Sequence, residues 1–265
     1  MTDNRSFLSK KIAAVKRLYM WHYASKKLGL ILVSEYPKSG GTWYCQMLAE
    51  YLQLPYPRNR MPKLEQSILH GHSLYSPHFN KPVCVVRDGR DIMVSFYHHM
   101  YFGNSIMQAA ELEKYRSNAP FNNFENIKEN MPAYIEYMFT KFSTGGSQLS
   151  WSGFIQSYLG KENVVFVQYE KLLAQTETEL ENSIKKLMGN NHPINKERLK
   201  QAVEKYSFET VSKRKKGEES KADFLRKGVA GDWKNYFSKE ACKVFNRYAG
   251  KELVLLGYEK DEHWF

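Results

Sequence analysis

Tyr36-Pro37-Lys38-Ser39-Gly40-Gly41-Thr42-Trp43 is the stretch on which the reading of this chain turns. It follows the apolar run Leu30-Ile31-Leu32-Val33, whose length suits a buried strand, and precedes residues 44–54, which read as a helix. The loop therefore joins the C-terminal end of a strand to the N-terminus of a helix. Such a terminus presents unpaired N–H groups and a partial positive charge. Gly40 and Gly41 let the backbone curl around an oxyanion and Lys38 adds a full charge, so a phosphate cradle is expected. A Walker A loop places its lysine after the last glycine and directly before Ser/Thr; here Lys38 precedes the glycines, which sets the loop apart from that of P-loop kinases.

Working outward, 265 residues with 42% hydrophobic content predict one α/β domain large enough to enclose a nucleotide. The 39 basic residues against 28 acidic ones leave a net charge of +11, which favours a polyanionic partner. Cys45, Cys84 and Cys242 are isolated and show no metal or disulfide spacing, so a reducing, cytoplasmic setting is expected. No apolar run approaches the roughly 20 residues needed to span a bilayer, and the N-terminus lacks the apolar core of a signal peptide. Residues 6–27 predict a basic amphipathic helix capped by Ser6. Its stripe of Phe7, Ile12, Val15, Leu18 and Tyr19 is expected to pack on the domain rather than lie on a membrane.

Three further stretches carry charge or ring systems. Ile68-Leu69-His70-Gly71-His72 brings two histidines close, but no third ligand stands at a recognisable spacing, so no metal is expected. Pro82-Val83-Cys84-Val85-Val86 predicts a second strand, followed by Arg87-Asp88-Gly89-Arg90-Asp91 at another strand-to-helix junction. Asp88 caps that helix, Asp91 reaches back in capping-box manner, Arg90 is a solvated helix-start residue, and Ser95 lies two turns beyond Arg87. Residues 163–168 predict a third strand ending at Tyr169, whose ring, like that of Trp43, has a flat apolar face. Residues 104–124 read as a lid or specificity loop, 125–142 as a helix interrupted by Pro132, and 143–147 as a flexible turn. The run 212–219 reads as a solvated charged loop; with no nucleic-acid-binding fold pattern beside it, nucleic acid is not an expected partner. Finally, Arg226-Lys227-Gly228-Val229-Ala230-Gly231-Asp232-Trp233-Lys234 sets two adjacent cations beside a glycine, a lid that an anion could order, before a last helix capped by Ser238.

The octapeptide at 36–43, the Arg87 to Ser95 pair and the Arg226 to Lys234 segment, in that order, resemble the motifs of sulfotransferases that use 3′-phosphoadenosine 5′-phosphosulfate, PAPS. The resemblance runs from about residue 30 to 237, with 1–28 as an N-terminal helical segment and 238–265 as a C-terminal helix. It implies a single α/β domain, P-loop-like, with a central, mostly parallel sheet covered by helices on both faces. It also implies transfer of a sulfuryl group from PAPS to a hydroxyl or amine of a small-molecule or glycan acceptor, with no metal. Lys38, Ser39, Gly40, Gly41, Thr42 and Trp43 would hold the 5′-phosphosulfate and adenine, aided by Tyr169 and Phe208; Arg87, Ser95, Arg226, Lys227 and Gly228 would hold the 3′-phosphate. His72 matches the family's catalytic base, while His70 stands where the family has lysine and Gly41 where it usually has threonine. The Golgi members' membrane anchor and the dimerisation segment of vertebrate enzymes are both missing, so the chain looks more like a bacterial member. A P-loop-type kinase and a non-catalytic nucleotide- or nucleic-acid-binding protein are the competing readings.

Overall fold

The computed structural model describes residues 7–265 apart from 59, 106, 145, 146, 222 and 224. Contacts gather the chain into two compact units, Met1–Val86 with Gly160–Lys215, and Arg87–Leu159 with Lys216–Phe265.

The first unit carries β1 (Ile31–Glu35), β2 (Ile68–Gly71), β3 (Val83–Val86) and β6 (Val165–Gln168); β4 (Ser143–Thr144) and β5 (Ser147–Gln148) form a separate antiparallel pair in the second unit. The four strands run in the order β2-β1-β3-β6, and every pairing is parallel, with Ile31 opposite Ile68, Val33 opposite Val83 and Val83 opposite Val165. This is the expected α/β architecture with a parallel central sheet. Parallel strands are covered on both faces, which is why they read as unbroken apolar runs. The period of two along β1 sends Val33 to one face and Leu32 to the other. On the Val33 face, α2 (Gly41–Leu52), α8 (Thr176–Met188) and α9 (Lys196–Lys205) contribute Tyr44, Leu48, Leu180, Ile184 and Leu199 to one core. On the Leu32 face, Met20, Trp21, Leu69 and Phe79 close a smaller one. Each large apolar side chain so buried contributes about 1.5–3 kcal/mol.

From β1 the chain crosses through α2 to β2 on one side, while β3 lies on the other side of β1. The strand order reverses there, and ligands in open α/β sheets gather outside the carboxyl ends of strands at such a point. The loop after β1 sits at that position. The remaining helices of this unit are α1 (Phe7–Tyr19), α7 (Tyr169–Ala174) and α10 (Phe208–Ser212). Asn195 caps α9 by accepting from the Arg198 amide at 2.9 Å.

The Ser6 cap expected for the first helix lies outside the described residues, and α1 gives way at Met20–Ala24 to a π-helical turn. The stripe expected to pack inward faces outward instead: Ile12, Val15, Leu18 and Tyr19 are exposed, and Ala13 and Met20 are the residues that turn inward.

The second unit is helical, with α3 (Gly89–Phe102), α4 (Ala109–Ser117), α5 (Ile127–Thr140), α6 (Trp151–Tyr158) and α11 (Lys239–Leu255). Its core packs Trp151, Phe154, Phe139, Phe245 and Leu253. Pro132 does not interrupt α5: losing one backbone hydrogen bond is offset by burial of Met131, Tyr134, Ile135 and Met138 around it. Ser238 caps α11 by accepting from the Ala241 amide at 3.2 Å. Among the described residues, no helix is long and apolar enough to cross a membrane.

Candidate functional site

In the first unit the loop after β1 is held by its own residues. Ser39 donates its hydroxyl to the Tyr36 carbonyl at 2.7 Å, and its amide donates to the same oxygen at 3.2 Å. Lys38 (φ 76°) and Gly40 (φ 93°) both occupy the left-handed region, which glycine takes freely and lysine only at a cost of about 1 kcal/mol or more. That geometry turns the chain directly into α2, whose first residue is Gly41 and whose N-terminus has no side-chain cap at Gly40.

Part of the cap comes from a residue the sequence reading passed over. Glu35, the last residue of β1, is buried and accepts from the Gly41 amide at 2.5 Å through Oε2. Its other oxygen, Oε1, accepts from Nε2 of His70 at 2.9 Å, and Nδ1 of His70 lies 3.2 Å from the Tyr56 hydroxyl. Burial pushes the Glu35 carboxyl upward, but the His70 hydrogen bond, the charges of both histidines and the Gly41 amide outweigh it and hold the group below the usual carboxylate range. A Cβ at position 41 would come within 2.7 Å of Glu35 Cδ and 2.9 Å of His70 Nε2, so glycine is required there by close approach. Only the fold brings residues 35, 41 and 70 together, and periodicity gives no sign of it.

His72 projects beside this cluster, its ring 5.4 Å from that of His70. Nδ1 lies 2.9 Å from the Glu35 carbonyl and must donate to it, which leaves the lone pair on Nε2. Crowding by protein pulls its pKa below the ordinary imidazole value, with the Glu35 charge working the other way. Glu35, His70 and His72 offer ligand atoms within 4.8 Å of one another, so the third group that the sequence failed to supply does exist. The Glu35 oxygens and the His70 nitrogens are nevertheless engaged with each other, the Gly41 amide and the Tyr56 hydroxyl, and a cation would have to displace those bonds.

The rings stand close to the loop. Trp43 meets Tyr169 edge to face at 6.0 Å and donates its indole N–H to the Tyr206 carbonyl at 2.9 Å. Tyr169 also abuts Gly40, where an added Cβ would come within 2.6 Å of its ring. Phe208 is buried beneath the Arg214 guanidinium, 5.3 Å from the ring centre.

The second unit assembles the other predicted residues. Arg87 donates to the Val229 carbonyl at 3.2 Å and lies 3.9 Å from Asp91, one turn along α3; Ser95 is one turn further. Asp91 is not the capping-box residue the sequence suggests. It accepts from the amides of Gly231 at 2.6 Å and Trp233 at 2.9 Å, and so clamps the 226–234 segment. Arg90 is not solvated either: it is buried, paired with Asp88 at 2.8 Å and Glu259 at 2.5 Å, and lies against the rings of Trp233 and Trp264. Asp88 does cap α3, accepting from the Arg90 amide at 2.9 Å.

Arg226 and Lys227 share one counter-ion, Asp232, at 2.5 and 2.6 Å. Burial works against the charge, yet the two cations hold the Asp232 carboxyl down at about 2. Arg226 also pairs with Glu219 at 2.7 Å, and the amides of Gly217 and Ser220 bond the carbonyls of Lys227 and Arg226. The expected solvated run at 212–219 is therefore folded in part against the segment that follows it. Gly228 takes φ 67°. A phosphate at these cations would have to share them with Asp232 and Glu219.

A strand-loop-helix junction on a parallel sheet, with an oriented histidine beside it and a second basic cluster further along the chain, is the arrangement expected of a nucleotide-handling α/β protein of non-Walker type. The sulfotransferase domain family matches residues 29–257, and the chain belongs to that family. It is 25% identical to human Sulfotransferase 2B1 over 267 residues, covering 84% of this chain and 66% of that protein, and 23% identical to dog Sulfotransferase 1B1 over 271 residues, covering 84% and 83%. The chain thus spans slightly less than two thirds of the human relative. Among solved structures, mouse sulfotransferase SULT7A1 complexed with PAP superposes with a TM-score of 0.62 at 18% identity, covering 92% of this chain and 91% of the other. Retinol dehydratase in complex with androsterone and inactive cofactor PAP gives 0.56 at 16%, covering 92% and 85%.

Proposed function

We propose that this protein transfers the sulfuryl group of PAPS to a hydroxyl or amine of a small-molecule or glycan acceptor. The observation that carries the reading is the lysine-first loop at the end of β1 with His72 beside it, its Nε2 lone pair fixed by the bond from Nδ1 to the Glu35 carbonyl. In the step, the acceptor's X–H bond breaks and its proton passes to Nε2 of His72. An X–S bond forms in line as the bridging S–O bond breaks, and the electron pair leaves on the 5′-phosphate, giving 3′-phosphoadenosine 5′-phosphate (PAP). Lys38 neutralises that leaving oxygen, a charge that exists fully only in the transition state and product. His70, already bonded at both nitrogens, supports rather than performs the proton transfer.

Trp43 and Tyr169 supply faces for the adenine, with Phe208 near them, and Ser39 to Thr42 line the phosphosulfate. Arg87, Ser95, Arg226, Lys227 and Gly228 receive the 3′-phosphate, for which paired guanidinium and ammonium groups are suited. In-line transfer of this kind is achieved by positioning and charge, so the residues present need no metal. Three buried free thiols suit a reducing compartment such as the cytoplasm.

The test is incubation with sulfur-labelled PAPS and fractionated cell extracts, followed by identification of the labelled product. Label transfer in the presence of EDTA supports the proposal; ATP-dependent, magnesium-dependent phosphorylation instead would establish the kinase reading.

A further inference from the structure

The exposed face of α1 joins three observations that the transfer reaction does not use. At 100° per residue, Leu8, Ile12, Val15, Leu18 and Tyr19 fall within about 120° of arc. All five are exposed, Leu8 and Val15 to 67% and 66%, and Tyr23 in the following turn to 82%. Isolated exposed apolar residues are ordinary, but a continuous apolar stripe along a helix is not.

Second, the helix is fixed in this orientation. Arg17 turns inward and donates its guanidinium to the carbonyls of Pro57 at 3.1 Å and Arg60 at 2.6 Å, while Ala13 and Met20 fill the inner side. A helix that merely needed to cover the core would present Ile12 and Val15 to it and leave Arg17 in water; the arrangement here is the reverse.

Third, the charges within this stretch of sequence carry a single sign. From residue 7 to 34 there is no Asp or Glu, while Lys10, Lys11, Lys16, Arg17, Lys26 and Lys27 are present. Lys11 and Lys16 fall at the two edges of the apolar arc, and Lys26 and Lys27 are exposed just beyond it.

We infer that α1 is an interfacial helix by which this protein docks on an anionic lipid surface. An apolar stripe of this kind enters the boundary between headgroups and acyl chains, flanking lysines meet the lipid charge, and tyrosines sit at headgroup level. A second copy of the same helix is the poorer occupant, because an isologous contact would bring the like charges of the two helices together. The helix lies on the bilayer and does not span it.

The full-length protein would be sedimented with vesicles of pure phosphatidylcholine and of phosphatidylcholine with about a third phosphatidylglycerol, at low and high salt. Binding is expected for the anionic vesicles alone, and it should weaken with salt. Lys11→Gln with Lys16→Gln should lower partitioning by about thirtyfold, at about 1 kcal/mol per surface cation. Ile12→Ser with Val15→Ser should lower it at least about tenfold. PAP affinity and the transition temperature, measured on the same samples, should stay unchanged, which separates lost docking from lost folding. Equal binding to both vesicle types, no binding to either, or an apolar-face variant that turns a dimer into a monomer would each overturn the proposal, the last in favour of a second copy.

Discussion

At the scale of single residues, the two histidines divide their work by what holds each nitrogen. His72→Ala is expected to keep nucleotide affinity and lose about two to four orders of magnitude in kcat, the usual size of general-base assistance. His70→Lys, which restores the family's cation, should keep or raise the rate; a fall as deep as that of His72→Ala would make His70 the base. The pH profile follows from the sign of the His72 shift. Its pKa is lowered, chiefly by burial, so kcat should rise through a midpoint below the ordinary imidazole value of about 6.5 and stay level above it. Glu35 opposes that shift, and Glu35→Gln should move the midpoint lower still; a midpoint that rises would contradict the assignment. Lys38→Met should lower kcat more than it weakens PAP, because its partner charge develops late. Arg87→Ala should cost about ten- to a hundredfold in PAP affinity and much less for adenosine 5′-phosphosulfate, since a charge-assisted contact contributes about 1.5–3 kcal/mol. Equal losses for both ligands in a calorimeter would remove Arg87 from the 3′-phosphate site.

At the scale of elements, the strands were legible where they were apolar throughout. β1, β3 and β6 stand out in the sequence because both of their faces are covered, whereas β2 ends in His70 and Gly71 and reads as a loop with an apolar start. The caps at Asp88 and Ser238 were readable because they are local. Asp91 looked equally local, yet its two acceptor bonds go to amides 140 and 142 residues away, and nothing in its neighbours announces that. Arg90 misled for the same reason: its burial depends on Glu259, Trp233 and Trp264, all supplied from the far end of the sequence. α1 misled in the opposite sense. Its amphipathic period is real, but the period does not say which face turns inward, and Arg17 decides that.

At the scale of the whole molecule, the family could be read from three short motifs in order, and the match over residues 29–257 bears that out. What the motifs could not give was the charge balance inside the site. A chain with a net charge of +11 still sets Asp232 against Arg226 and Lys227, and Asp91 near Arg87. PAP at about a hundred times its dissociation constant should stabilise the protein by roughly 2.7 kcal/mol and raise the transition temperature by about 5–10 °C in calorimetry. A shift of the same size with AMP at that same concentration would mean that the 3′-phosphate finds no partner. EDTA should leave both the shift and the turnover unaltered.

The contact of Glu35 with Gly41 and His70 also constrains how this loop can change over time. The Cβ of a threonine at 41, usual in the family, would meet Glu35 Cδ at 2.7 Å and His70 Nε2 at 2.9 Å, so Gly41→Thr alone should impair folding or turnover, while the same change made after Glu35→Ser, which also releases the His70 ring from its bond to Glu35, should be tolerated. Any mutational route joining this loop to the threonine-bearing form is therefore ordered: position 35 must change before position 41, and the reverse journey must open 41 before an acid can enter at 35.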